Sequence, residues 1–497
     1  MLLSRNMHSI EEKSAVAEHH VTVEIYPDPK GSPITGQSHE DRAVTVDYSG
    51  ASAKTDPAEI KLVRKLDMFI MPVVWILVFL NFFTRQSLSV ARLDGFEREL
   101  GISGTEFSLA ISIHYIGYLL VQVPSNMFLT KVPPPIYLSV TMGVMSVGTA
   151  LTAVLHNGRS LLIQRFFLGL VAAPIYPGCM YVISLFYKRK EIAARMTLVY
   201  TATIFATGMN GLLAAPLFRA MRGKLGLSGW RWLYIIFGAI AVAVSALSFF
   251  ILPDEPLKTK WLTPAERRLA HDRIAEDTVE LGEDGSMVQG FKDAMRDRRV
   301  WLFMVIQHVN AFAGSLRIFL PTLLATLGFG QFKTLVMTCP PYLIACVSAM
   351  CVSISSGHFN ERTWHLTSLK TLAAVGFALA AATMNPSLRY FAAFVFIIGT
   401  WGGTSITQSW IASTCAQTKE KRAVAIGLGN MSASSTLIWT PYLWPESSAP
   451  RYALPLITCA SGAALSVVLF WLIKWDLRQQ NKKIRQTDIA SRVFYAY

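Results

Sequence analysis

Three arginines sit where charge is expensive. Arg85, Arg165 and Arg317 each fall within a long apolar run, late in 67–90, early in 160–183 and late in 300–322 respectively. If those runs lie in lipid, an ionised side chain at the bilayer centre costs roughly 2.5–3.5 kcal/mol on insertion scales, so it should face a cavity or a partner. A guanidinium presents its donors in a fixed planar fork that can grip a carboxylate or phosphate through two bonds at once. Arg85 and Arg317 occupy similar depths in runs that correspond between the two halves of the chain, which would aim both into one central cavity as an anion clamp. The structural alternative is that Arg85 snorkels to the outer interface and Arg165 caps helix packing.

No Asp or Glu lies well inside any apolar run; Asp67, Glu106, Glu191 and Glu420 stand at the edges. A proton-coupled carrier needs a titratable group in its cavity. The candidates are His114 and His308, whose imidazoles titrate at about 6.5 when unperturbed. Asn81, Gln122, Gln307, Asn310 and Gln408 could orient a substrate, although hydrogen bonds between helices explain any one of them equally well. Trp75, Tyr118, Tyr176, Tyr342, Trp401 and Trp410 could wall an aromatic substrate, against the commoner use of such rings in interface belts and packing. Pro72, Pro124, Pro177, Pro321, Pro340 and Pro341 predict bends that free backbone carbonyls. The six cysteines fall in or beside the runs without metal-ligand spacing, so no metal site, disulfide framework or cofactor is expected.

These side chains need a scaffold, and the composition says which. Of 497 residues 52% are hydrophobic and 16% charged, where soluble domains carry roughly a quarter charged residues. A bilayer core needs about 20 apolar residues per helix. Windows of that length recur at 67–90, 107–129, 136–156, 160–183, 192–215, 231–252, 300–322, 334–355, 364–383, 389–412, 421–443 and 452–474. The expectation is an all-α membrane protein with twelve transmembrane helices. The window at 192–215 is the least apolar, and its Thr, Ala and Gly residues suit helix packing inside a bundle.

A net charge of +14 would be compatible with nucleic acid, but the basic residues lie in tails and loops beside apolar helices. Lys54, Lys61, Arg64 and Lys65, then Lys188, Arg189 and Lys190, then Lys419, Lys421 and Arg422 all become cytoplasmic if both termini are cytoplasmic, as the positive-inside rule asks. Arg219, Arg222, Lys224 and Arg231 would break the rule by lying outside. Residues 1–62 read as a disordered cytosolic tail, 63–253 as an N-terminal six-helix bundle, 254–299 as a cytosolic central loop, 300–475 as a C-terminal six-helix bundle and 476–497 as a cytosolic C-terminal tail. Within the loop, Thr263 followed by Pro264 and Glu266 predicts a capping box opening a short amphipathic helix.

Two groups of six spans around a central loop suggest the major facilitator arrangement. Specific residues strengthen it. Tyr118-Leu-Leu-Val-Gln-Val-Pro124-Ser125-Asn126, Arg165-Phe-Phe-Leu-Gly169 with Pro177-Gly178, Phe319-Leu320-Pro321-Thr322, Pro340-Pro341-Tyr342, Lys421-Arg422-Ala423-Val424-Ala425 and Ala449-Pro450-Arg451-Tyr452 together resemble the fungal allantoate permease family over about residues 60–480. That resemblance implies the major facilitator fold and proton-linked uptake of small carboxylates and vitamins. Where family members carry an Asp-Arg pair and a later Glu, this chain has Thr84-Arg85 and Ala172; Ser87, Val90, Ser413 and Thr414 stand where the family has Asn. Arginines in the first, fourth and seventh spans make the chain similar to animal organic-anion carriers such as the vesicular glutamate transporters.

The sequence therefore predicts a secondary transporter of a small organic anion, working in the lipid bilayer as a monomer by alternating access, with proton symport and uptake as the leading mode. The plasma membrane is the expected location and the vacuolar membrane the alternative. Uniport or anion exchange, export of a metabolite and a non-transporting sensor are the competing readings; Gly208-Met-Asn-Gly211 lacks the proline of the exporter motif. No phosphate-binding loop or nucleophile elbow points to an enzyme.

Overall fold

A computed structural model describes residues 56–129, 132–279, 287–359, 361–415 and 419–487. Residues 1–55 of the expected N-terminal tail, 280–286 of the central loop and 488–497 of the C-terminal tail lie outside the described residues. Among the described residues all regular structure is helical.

Apolar length dictates the long elements. The main helices are α1 (Pro57–Ala91), α2 (Gly104–Leu129), α3 (Pro134–Ala150), α4 (Gly158–Phe186), α5 (Arg189–Met221), α6 (Gly229–Ile251), α7 (Arg298–Ala313), α8 (Cys339–His358), α9 (Thr363–Ala382), α10 (Pro386–Thr414), α11 (Lys419–Trp439) and α12 (Ala453–Thr487). Nine helices among the described residues are long and apolar enough to cross a membrane; α2, α7 and α11 are not in that set. For α7 the reason is a break. The sequence predicts one span over 300–322, but the helix stops at Ala313, the chain passes through Gly314 and a 3-10 helix at Ser315–Ile318, and it resumes as Leu320–Ala325 with Pro321 in the first turn. Proline fits there because a first-turn N–H has no intrahelical acceptor to lose. Similar interruptions divide α4 into Gly158–Ala172 and Ile175–Phe186, and α10 into Pro386–Trp401 and Thr404–Thr414.

Helix pairing repeats along the chain. α1 packs on α5 and α6, α2 on α4, and α3 on α6; likewise α7 packs on α11 and α12, α8 on α10, and α9 on α12. The two sets meet through α2 against α11 and α5 against α8, a reciprocal pair under the same correspondence. This is the pattern that two repeats related by an axis along the membrane normal produce. Small residues allow the close approaches. A Cβ at Gly169 would fall on the His114 carbonyl and one at Gly117 on the Phe166 carbonyl, so α2 and α4 touch backbone to backbone.

At the end where α1 begins and α12 leaves, polar clusters stay within one half. Arg273, on the loop helix Pro264–Val279, bridges Glu59 and Glu191 at 2.8 Å each, and Glu266 pairs with Lys65 at 2.7 Å. Thr263 and Glu266 exchange the two capping bonds that open this helix. In the second half Asp297 caps α7 and pairs with Lys421 at 2.7 Å and Arg299 at 2.8 Å. Partial burial pushes the Asp297 carboxyl up, but the bonds from Arg299 and Lys421 outweigh it and hold the group at about 2. A value below the unfolded one of about 3.9 means that this cluster adds stability above that value and loses it as pH falls through about 2. Asp297→Asn should lower the melting temperature of the purified protein at pH 7 by about 2–4 °C. The two proteins should converge on acidification toward pH 2; an undiminished difference there would refute the assignment.

Candidate functional site

α1 carries Arg85 into a ring of aromatic faces. Its guanidinium carbon lies 4.9 Å from the Phe82 centroid, 5.0 Å from Tyr115 and 4.9 Å from Tyr118. The spacing of Tyr115 and Tyr118 puts both on one face of α2. Ring quadrupoles stabilise the cation there in place of a carboxylate. Arg165, on α4, donates to the Tyr234 hydroxyl of α6 at 3.0 Å, and its own carbonyl lies 3.3 Å from His114 Nδ1. A carbonyl only accepts, so Nδ1 is the protonated nitrogen, and the buried Nε2 keeps no partner among the described residues.

The break in α7 sets the third cation. Arg317 stands in the 3-10 helix beyond Gly314. Each of the three arginines retains a buried Nε without an acceptor, and none forms an ion pair among the described residues. Buried donors of this kind need an explanation, and charged ones inside a membrane most of all.

The other residues singled out in the sequence lie around this cluster or apart from it. Asn81 directs its Nδ2 to the Met145 sulfur at 3.2 Å, within the packing of the first half. Gln122, Asn310 and Gln408 each keep a buried amide oxygen without a partner among the described residues. Gln307 packs toward Gly429 of α11. His308 lies 3.1 Å from the Ser432 carbonyl and 3.3 Å from the Ser435 hydroxyl through Nδ1, and stacks on Trp439 at 6.0 Å.

Residues 74–441 match the description of the Major Facilitator Superfamily. The chain belongs to that superfamily. It is 29% identical over 442 residues to the MFS-type transporter efuF of Hormonema carpetanum, covering 86% of this chain and 89% of that protein. It is also 29% identical over 346 residues to a putative tartrate transporter of Agrobacterium vitis, covering 69% and 76%. A bacterial homolog of the human lysosomal transporter Spinster, solved in an inward-facing and occupied conformation, shares the fold with a TM-score of 0.63 at 13% identity, over 86% of this chain and 99% of its own. The protein is therefore a multi-pass membrane transporter of the major facilitator type that carries a small molecule.

In this facilitator the halves are bonded to each other at one end. Arg92 pairs with Glu446 across the halves at 2.6 Å and with Glu97 at 2.8 Å. Arg222 pairs with Asp94 and donates to Gln331 at 2.9 Å, while Gln331 donates back to the Leu93 carbonyl at 3.1 Å. At the end carrying α1's start, the pairs Lys65–Glu266, Arg273 with Glu59 and Glu191, and Lys421–Asp297 each stay on one side of the division between the halves. Two of the basic residues that offend the positive-inside rule find their use here: Arg222 in this latch, and Arg231 on Glu99 at 2.7 Å. Because Glu446 is 63% exposed, its pair with Arg92 should contribute less than about 1 kcal/mol. In Glu446→Gln, a cysteine placed at Ser108 should react with a thiol reagent up to about fivefold faster than in a wild-type background carrying the same cysteine. An unchanged rate would remove this pair from the latch.

Three residues of consequence escape the sequence reading. Tyr115 gave no signal beyond its proximity to Tyr118. Asn210, inside the Gly208-Met-Asn-Gly211 stretch, donates to the Phe83 carbonyl at 2.7 Å and lies 3.2 Å from the Ser87 hydroxyl, tying α5 to α1. Lys370, fully buried on the inner stripe of α9, donates to the Thr400 carbonyl at 3.3 Å beside the break in α10. It was legible as a charge within 364–383.

Proposed function

We propose that this facilitator carries a small organic anion, a carboxylate of metabolite or vitamin size, held between Arg85 and Arg317. The observation that supports this reading is a buried guanidinium in each half, Arg85 and Arg317, each with an Nε that has no acceptor and no carboxylate paired to it among the described residues. A ligand bridging the halves is what alternating access requires, since each half must exchange its hold as the other end opens. Rings from both halves flank the site: Trp401 lies 6.2 Å from Tyr200 and 6.1 Å from Tyr342. Flat apolar walls beside a cationic fork favour a planar or aromatic carboxylate over a compact polyol. Likeness to a putative tartrate transporter, and to the allantoate permease branch in its motifs, supports the same class.

In this reading α1 to α12 are twelve spans, both termini are cytoplasmic, the latched end faces outward and the structure is inward-facing. One protomer holds the whole translocation path. The leading mode is uptake across the plasma membrane by proton symport, with His114 and His308 as the proton-binding candidates. A second reading, uniport or anion exchange, draws on two positions where the allantoate permeases carry acids. The Thr84 hydroxyl is spent on the Leu80 and Asn81 carbonyls at 2.9 and 3.1 Å, and Ala172 is fully buried. Uptake of radiolabelled carboxylates and vitamins at external pH 5 and pH 7.5, with and without a protonophore, separates the modes. Accumulation that needs acid outside supports symport; transport indifferent to the gradient supports uniport or exchange; failure of every anion to cross sinks the substrate class.

A further inference from the structure

The seam between α9 and α10 holds a lysine that the anion site does not use. Two glycines bring these helices backbone to backbone: a Cβ at Gly376 would fall 2.6 Å from the Phe396 nitrogen, and one at Gly399 would overlap the Leu369 carbonyl. Lys370 lies between those contact points on α9, fully buried, and no carboxylate pairs with it among the described residues. Its Nζ donates to the Thr400 carbonyl at 3.3 Å. An ammonium has three donors, so a single carbonyl is a sparse environment for a charge taken out of water. Unlike a guanidinium, an amine can exist in either protonation state.

The acceptor gives this lysine its reach. α10 stops at Trp401 and restarts at Thr404, so Thr400 belongs to a last turn whose carbonyls lack helical donors. The break in α7 lies against the same residue: a Cβ at Gly314 would come within 2.9 Å of Thr400 Cγ2. The Gly314 carbonyl in turn accepts from the Arg317 backbone N–H at 3.3 Å. Lys370, the break in α10, the break in α7 and Arg317 therefore follow one another in direct contact.

The neighbouring ionisable groups are engaged elsewhere or distant. His365, the other one on α9, meets Glu361 at 3.1 Å and the Ser355 hydroxyl of α8 at 3.0 Å. α12 has none between Cys459 and Lys474, and Lys474 reaches Glu361 at 3.5 Å. α10 has none between Tyr390 and Thr414. On α8, Tyr342 packs on Trp401 at 6.1 Å, Cys346 is half-buried, and Cys351 and His358 are exposed. His308 of α7 turns to Ser432 of α11 at 3.1 Å, and Arg317 keeps its charge throughout.

We propose that Lys370 is a proton-binding residue that positions Arg317: as an ammonium it holds the Thr400 carbonyl and keeps the α10 break seated on Gly314, and as a neutral amine it lets that junction loosen. The proton comes from water and goes to the Nζ lone pair, with no other bond made or broken. The inference rests on the reading of Arg317 as half of the anion site and supplies its coupling step. An anion is gripped where protons are plentiful and released where they are scarce.

The test needs no substrate. Backbone amide exchange is followed by mass spectrometry on the full chain in lipid nanodiscs without added carboxylate, at pH 5.5 and pH 8.5, with rates corrected for the intrinsic pH dependence of exchange. In the parent, peptides spanning 400–406 and 312–319 should exchange about tenfold faster at the higher pH, the size of a lost hydrogen bond to a charged group. Lys370→Arg, which stays charged, should hold both peptides at the slow level at either pH. Lys370→Met should show the fast level at either pH, and Lys370→Gln poses the same question if the Met variant does not fold. A role in packing alone predicts no pH response in the parent. A parent without that response, a response that persists in any of the variants, or a Met variant as protected as the Arg variant would each overturn the proposal. The carboxylate panel is read separately on the parent, so failure of the anion site and failure of the proton site are distinguishable.

Discussion

Arg317→Ser should reduce transport of the proposed anion about a hundredfold while leaving the protein folded and inserted. Arg317 stands past the break in α7, keeps an unpartnered Nε and has no carboxylate to strand if it is removed. Its loss should therefore cost little stability. It removes half of the proposed clamp, and a charge-assisted fork to a carboxylate in a water-poor site contributes on the order of 3 kcal/mol, or about a hundredfold in the ratio of maximal rate to half-saturation concentration. Arg85→Ala should act alike, with some added cost from the three aromatic faces it leaves behind. Arg317→Lys should fall between, since the charge stays and the fork goes. Uptake kinetics in cells, beside surface labelling and a monodisperse elution profile, decide the matter. Wild-type affinity in a surface-expressed Arg317→Ser protein would exclude the residue from the site.

Gly211→Leu should be almost as damaging for a different reason. A Cβ at Gly211 would overlap the Leu335 carbonyl and the Thr338 hydroxyl, and one at Gly208 would meet Tyr342, so α5 lies close against the second half along this edge. A branched side chain cannot enter a backbone-to-backbone contact without parting the helices. The state closed at the latched end would then be lost, and the cycle with it. The expected result is a fall in maximal rate of at least about tenfold, with the empty protein trapped open at that end. Gly211→Ala should show the same direction at smaller amplitude. Normal turnover in Gly211→Leu would mean that the contact of α5 with Leu335 and Thr338 is not remade in each cycle.

The two predictions differ in how visible their residues were beforehand. Arg85, Arg165 and Arg317 stood out because a charge in an apolar run is a conspicuous local anomaly, and Arg317 could even be matched in depth to Arg85. Gly211 was legible only as part of a small-residue stretch suited to packing; nothing in its neighbours named Leu335 and Thr338, just ahead of α8, as the surface it would meet. Asn81 and Gln122 looked alike as polar residues within spans, yet Asn81 turns to Met145 inside the first half. Hydropathy records that a residue is polar, and the rotation of its helix decides what it faces.

The sequence by itself determined the helical class, the membrane setting, the approximate positions of most spans and the shortage of intramembrane acids. These follow from composition and from window-averaged hydropathy, which are local and additive, so no contact needs to be known. Tertiary structure decided where the long helices are interrupted, as at Gly314 and at Gly402-Gly403, because a break is tolerated only where neighbouring side chains take up the freed backbone groups, as Lys370 does for Thr400. It also decided that Ser112 of one half meets the Ile438 carbonyl of the other. That contact depends on how two sets of helices dock, a property of surfaces assembled from distant segments that no window along the chain contains.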